Sequence, residues 1–412
     1  MNLSNEMTAA EIRAQIAPKG KRHEACEVRC PDERTAQMAV RAYRHGAYRI
    51  SREAIRTLTD DVFAARDALC DFGEDGLSVI GSEAGRAQGE CFARCEAYAR
   101  TLGNLPNNFL HVRQMADYLR NMAADCGLSC RVLGQEELRA LGAGGILAVN
   151  QGSGEEANLV ILEYRPASTE HEKPIALVGK GVMFDAGGYH LKDIHGMEGM
   201  KMDMCGAANV AEVLEYAARV GGKVPLIGVI PLVENVVSDH AVKMGDVITA
   251  MSGQTVEVYN TDAEGRLILC DALTYAQRMG AETVVDLATL TYGCQSALGD
   301  EIGGYFCNDE ALAAKFEALC TEVGEAFWRL PLADVYRKAL RWSDCADLAN
   351  YAPGAGAAAS TAACFLEAFI QPGTRWLHLD VVGPAVRRGD SDGECKGARG
   401  VGMAVLAALA GC

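Results

Sequence analysis

Asp262 and Glu264 stand two residues apart in Asn260-Thr261-Asp262-Ala263-Glu264-Gly265-Arg266-Leu267-Ile268-Leu269, an acidic turn followed at once by an arginine and an apolar helical run. Earlier in the chain Lys180, Asp185, Lys192 and Asp203 lie in Gly-rich surroundings. Four carboxylates and a lysine brought to one place would repel one another and fail to stay ionised unless cations neutralised them. Two divalent metals about 3.5–4 Å apart supply that neutralisation and can act together on water and a substrate oxygen. The pattern therefore reads as a two-metal hydrolytic site.

Each residue type has a part in such chemistry. Asp and Glu give hard oxygen ligands suited to zinc, manganese or magnesium. A lysine ligates a metal only as the neutral amine, so Lys180, between Gly179 and Gly181 at a strand end, would need nearby cations and burial to lose its proton. Arg266, at the start of a helix, makes an anion site together with that helix N-terminus. Lys192 is placed to face a developing oxyanion. Each piece alone is more often a solvated turn or a structural contact; the combination at strand ends is what points to a metallohydrolase.

The elements that must position these residues alternate. Helical periodicity is expected over 115–126, 136–141, 205–219, 266–279 and 400–410. Strands are expected over 129–132, 159–164, 175–179, 224–232, 283–288 and 376–382, several of them apolar throughout, as in a sheet buried on both faces. This predicts an α/β fold: a mixed, mostly parallel central sheet with helices on both faces, plus a smaller N-terminal domain. In such folds ligands bind beyond the carboxyl ends of the strands, where Lys180 and Asp185 follow directly on one strand and Thr289 and Leu290 on another. The first 90 residues differ in texture, with short helical patterns such as 52–69 and few convincing strands. A helix over 82–102 ends at Gly103-Asn104-Leu105-Pro106, which suggests a small domain over 1–90, a linker helix over 91–103 and a catalytic metallohydrolase domain over 104–412.

Composition narrows the partners. The net charge of −16 argues against nucleic acid or an anionic membrane, both of which call for basic surface. No apolar run approaches the roughly 20 residues of a membrane span, and the N-terminus lacks the basic start and apolar core of a secretory signal. A cytoplasmic location follows. Sixteen cysteines include the spaced pairs Cys26/Cys30, Cys91/Cys95 and Cys126/Cys130, but structural zinc usually takes tighter pairs or companion histidines. The expectation is reduced, mostly buried thiols. His378, in a buried strand pattern, reads as a hydrogen-bonded core histidine; His190 and His195, near the lysine loop, are better placed for a local role.

Val178-Gly179-Lys180-Gly181-Val182-Met183-Phe184-Asp185-Ala186-Gly187-Gly188, then Lys192, then Met200-Lys201-Met202-Asp203-Met204, then the Asn260 to Leu267 segment, resemble the signature of the leucyl aminopeptidase family of dizinc exopeptidases. The similarity spans about residues 95–412, and Phe327-Trp328-Arg329-Leu330-Pro331-Leu332 with Ser360-Thr361-Ala362-Ala363 is nearest the peptidase B branch. The resemblance implies a tight metal on Lys180, Asp185, Asp203 and Glu264, and an exchangeable one on Asp185, Asp262 and Glu264. It also implies a bicarbonate held by Arg266 as general base for hydroxide attack, and Lys192 stabilising the gem-diolate. The metals would be zinc or manganese, the substrate the N-terminal residue of short peptides, and the assembly a homohexamer with sites facing an inner cavity.

One position departs from the family. Where Gly-Ala is usual, this chain has Tyr292-Gly293, and a tyrosine there should narrow or polarise the pocket for the N-terminal side chain. Met200, Thr289, Leu290, Val382 and Ala385 are expected around the same pocket. The altered pocket keeps open a two-metal Cys-Gly type dipeptidase or amidase. A non-catalytic oligomeric scaffold is the other alternative, although it would have no reason to retain Lys180 and all four acids.

Overall fold

Apolar residues at three- and four-residue steps along the first helices bury one stripe each, and the N-terminal portion folds around it. In the computed structural model, which describes residues 1–73, 76–169 and 172–412, α1 (Ala9–Lys21) packs on α2 (Glu33–Ala47). Ile12, Ile16, Val28, Ala39 and Tyr43 form their common core. The helical stretch expected over 52–69 is two helices, Arg52–Arg56 and α3 (Val62–Leu69), because Asp61 restarts the helix by accepting the Ala64 N–H. Strands here are only two to four residues long, too short to show periodicity. Ser82 then caps the long α4 (Glu83–Asn104), followed by α5 (Val112–Cys126).

Among the described residues the central sheet has nine strands: β1 (Ser129–Leu133), β2 (Asn158–Tyr164), β3 (Ile175–Gly179), β4 (Gly181–Asp185), β5 (Leu226–Asn235), β6 (Thr283–Ala288), β7 (Gly303–Cys307), β8 (Phe327–Arg329) and β9 (Arg375–Asp380). Their order is β8-β7-β9-β6-β3-β5-β2-β1, with β4 prolonging the β3 track against β5. The central pairings β9–β6, β6–β3 and β3–β5 are parallel, while β1–β2, β2–β5 and β7–β9 are antiparallel. Strand alternation divides the core into two layers. Leu177, Val285, Leu287, Leu377 and Leu379 point to the face covered by α6 (Cys205–Val220). Ala176, Val178, Val284 and Trp376 point to the face covered by α7 (Glu264–Arg278). This is the mixed α/β sandwich that the apolar strand runs imply.

One feature at the site was not expected. Lys180 does not end its strand: the chain resumes as β4 after a single-residue break. The Lys180 N–H donates to Leu287 O, and its carbonyl accepts from Ala207 N–H at 2.9 Å. That diversion turns the side chain out of the ladder toward the strand ends.

Candidate metal centre

Four segments bring the charged residues together at the carboxyl ends of the parallel strands. Lys180 comes from the β3–β4 break, Asp185 from the end of β4, and Asp203 from the turn before α6. Asp262 and Glu264 come from the acidic turn that starts α7. One ligand oxygen from each of Asp185, Asp262 and Glu264 lies within 4.8 Å of the others. Lys180 Nζ sits 2.8 Å from Asp203 Oδ1, 2.8 Å from Glu264 Oε1 and 2.9 Å from the Thr289 carbonyl. Lys192 Nζ is 2.9 Å from Asp185 Oδ2 and also contacts Asp262. Two glycines permit this density. A Cβ on Gly265 would lie 2.5 Å from Lys180 Cε, and Gly187, at φ +90°, would drive one against Asp262 Oδ1.

Neutral side chains fix the acids. Asp185 Oδ1 accepts the Gly187 N–H at 2.9 Å and Asn235 Nδ2 at 2.8 Å, and Asn235 also donates to Thr261 O. Thr289 donates its hydroxyl to Asp203 Oδ1 at 2.7 Å. His190 reaches Thr261 through its backbone and ring, which gives that histidine the local role expected of it. Asn350, fully buried, accepts from Tyr259 and Asn260 N–H and donates to Asn260 O, so it clamps the acidic turn. Asn235, with Glu234 before it, ends a strand that is apolar up to that point, a signal that sequence reading could have used. Asn350 offered no comparable signal.

Four carboxylates face two ammonium groups here, so negative charge is in excess. Burial pushes the carboxyls of Asp185, Asp203 and Asp262 up, Asp262 to about 7, and neighbouring carboxylates push them further. Burial also works to raise Glu264, but Lys180 and Lys192 outweigh it and hold this carboxyl low. Burial opposes the Lys180 charge, and Asp203, Glu264 and Asp185 overcome it, raising the lysine above its ordinary value. Asp203 Oδ2 and Asp262 Oδ1 are buried and meet only lysine ammonium groups, without a well-formed hydrogen bond. Buried acid oxygens short of partners, in a hard-donor set with surplus negative charge, fit divalent cations.

Arg266 is 5 % exposed; its Nη1 donates to Asn350 O at 2.8 Å, and its Nε is buried without a partner. Burial lowers its pKa to about 10. Beside the centre opens a cavity of about 460 Å³ lined in part by Met200, Tyr292 and Val382. Tyr292 donates to Gly196 O at 3.2 Å, and its ring lies 5.8 Å from Lys192 Nζ. Thr289 is turned to Asp203, Leu290 packs near Gly265, and Ala385 is buried behind the wall. Lys201, Arg387, Arg388, Lys396 and His195 line the same cavity against a single acid, Glu198. Sequence reading noted His195 but missed the lysines and arginines, because they come from segments far apart in the chain.

The family model described as the cytosol aminopeptidase family, catalytic domain, matches residues 97–407. The chain belongs to this family. A probable cytosol aminopeptidase of Chlorobium phaeobacteroides is 46 % identical over 333 residues, covering 81 % of this chain and 65 % of that protein. One from Chlorobaculum parvum is 42 % identical over 390 residues, covering 93 % and 76 %. The chain thus spans about two thirds to three quarters of the length of these cytosol aminopeptidase relatives. Among solved structures, the bottromycin maturation enzyme BotP in complex with Mn superposes with a TM-score of 0.83 at 33 % identity, covering 98 % of this chain and 88 % of that one. Among the described residues no helix is long and apolar enough to cross a membrane.

Proposed function

We propose that this cytosol aminopeptidase family member is a two-metal aminopeptidase that releases the N-terminal residue from short peptides. The convergence of Asp185, Asp262 and Glu264 within 4.8 Å, with Lys180 and Asp203 in contact, carries the reading. Lys180, Asp185, Asp203 and Glu264 would hold one divalent cation, and Asp185, Asp262 and Glu264 a second. When bound, such cations polarise a carbonyl and lower the pKa of water. Zinc and manganese both suit the donor set, and the similar BotP was solved with Mn. Lys192 stabilises negative charge developing on the substrate oxygen. Arg266 holds an anionic base, bicarbonate in this reading, with its unpartnered Nε supplying a donor. Family membership favours neither the Cys-Gly dipeptidase or amidase alternative nor the scaffold.

The cavity refines the substrate. In a chain of net charge −16, cations gathered on one cavity beside the centre favour peptides with a carboxylate at or near the first side chain. Arg387 is already paired with Glu394 and Glu301, which leaves Arg388 and Lys396 as the exposed cations of this cavity without an ion-pair partner among the described residues. A panel of aminoacyl anilides and dipeptides, with chelator and with zinc or manganese restored, tests both points. Release of N-terminal residues should vanish on chelation and return with metal. Asp- and Glu-leading substrates should be favoured over Leu, and the advantage should shrink with added salt. No release under any metal overturns the function; equal rates for acidic and apolar leads overturn only the preference.

A further inference from the structure

Away from the acidic centre, four helices bury a second set of reactive side chains. α4 places Cys91 and Cys95 one turn apart, and α6 sets Glu212 and Glu215 against them; Arg66 of α3 and Tyr118 of α5 close the sides. Cys95 Sγ and one oxygen from each glutamate lie within 4.8 Å of one another, and all three residues are buried. Cys91 stands one helical turn before Cys95 on the same helix.

The glutamates are not equivalent. Both Glu215 oxygens are satisfied, by Arg66 Nη1 at 3.0 Å and Arg219 Nε at 2.7 Å. Glu212 Oε1 accepts the Tyr118 hydroxyl at 2.7 Å, but Oε2 is buried with no hydrogen-bond partner. Glu212 itself is 0 % exposed. A carboxylate oxygen left bare in the interior calls for a cation or a proton. The local charges agree: Glu212, Glu215 and Asp125 bring three negative charges, and Arg66 and Arg219 two positive, both of them contacting Asp125 as well. One negative charge remains, and a dication bound with one thiolate brings the sum to zero.

We propose that this buried cluster between α4 and α6 binds one divalent cation of the zinc class through Cys95 Sγ, Glu212 Oε2 and Cys91 Sγ, with Glu215 beside it. Sulfur donors select a borderline-soft ion over magnesium or calcium. Binding releases one thiol proton to solvent while the other sulfur ligates as a thiol, and the partly exposed Cys91 marks the route of entry. The site shares no residue with the acidic centre and would pin α4 to α6, whose other side covers the central sheet. The Cys-x-x-x-C spacing of Cys91 and Cys95 did not suggest zinc because the companion ligands stand more than a hundred residues later.

Cobalt(II) titration of the full chain, cleared of metal and kept under a non-thiol reductant, is the test. A sulfur-to-cobalt charge-transfer band should appear, which the oxygen-and-amine centre cannot produce. It should survive Asp262→Asn, disappear in Cys95→Ala, and require about tenfold more cobalt in Glu212→Gln. No band in the wild-type chain, or a band that persists in Cys95→Ala, overturns the proposal. If Cys95→Ala does not fold by circular dichroism, Cys91→Ala decides: a weakened band upholds the site, and an unchanged one overturns it. Glu212→Gln also tests the alternative of a proton shared between the glutamates. Unchanged cobalt binding in that variant means that Glu212 is no ligand and overturns the proposal.

Discussion

Lys192 touches both Asp185 and Asp262, so its charge bears on the acids as well as on whatever occupies the space beside them. If its main effect is on charge that develops during reaction, Lys192→Ala should lower kcat by about 10²–10³ while bound metal stays at the wild-type level. Elemental analysis beside steady-state kinetics separates the two effects. Metal lost in parallel with turnover would mean that Lys192 serves the ligands rather than the reacting oxygen. Lys180 differs in kind: buried between Asp203 and Glu264 and bonded to the Thr289 carbonyl, it has no room to face a substrate. The cluster drew notice at this scale because its acids and lysines, each alone more often structural, fall together at strand ends. Asn350 did not, since a buried asparagine that clamps a turn some ninety residues earlier leaves no local pattern.

Among the elements, β3 and β6 were readable to the residue, because apolar runs bounded by polar turns admit little besides a strand buried on both faces. β4 was hidden by its glycine neighbour and its closing aspartate, and it exists because β5 offers a further stretch of ladder. The pairing of β6 with β9 sets Asp286 opposite His378, and Asp286 accepts from His378 Nδ1 at 2.5 Å and from Trp376 Nε1 at 2.7 Å. The histidine is thus the hydrogen-bonded core residue that its strand context implies. Burial opposes its charge, yet Asp286 outweighs burial and raises its pKa above the ordinary 6.5. A raised histidine contributes stability that is complete below about 6.5 and fades as pH climbs through the folded value. The stability lost on His378→Gln, measured by chemical denaturation, should therefore be larger at pH about 6 than at pH about 9. An equal loss at both would mean that the pair stays in one protonation state across the range.

Across the whole molecule, one buried carboxylate is among the groups that tie the N-terminal helices to the rest. Glu394, on the loop after β9, meets Arg13 of α1 and His45 of α2, together with Arg387 Nε at 2.8 Å and Arg399 Nε at 3.0 Å. His45 also reaches Glu96 of α4 at 2.9 Å. The early and the late parts of the chain thus share one network. Burial alone would raise the Glu394 carboxyl, but His45, Arg13 and Arg399 overcome it and hold it well below the usual range. Removing one member of such a buried set strands the others, at a cost of about 3 kcal/mol. In Glu394→Gln, amide exchange over α1 and α2 should accelerate while β3 and β6 keep their protection, because the central sheet has its own two-layered core. The sign of the pH effect is opposite to that of His378. A depressed carboxyl contributes in full above about pH 4.5, so the stability gap between wild type and variant should narrow as pH falls below that point. Faster exchange spread evenly over helices and sheet would show instead that the carboxylate supports the whole fold and not the attachment of its N-terminal helices.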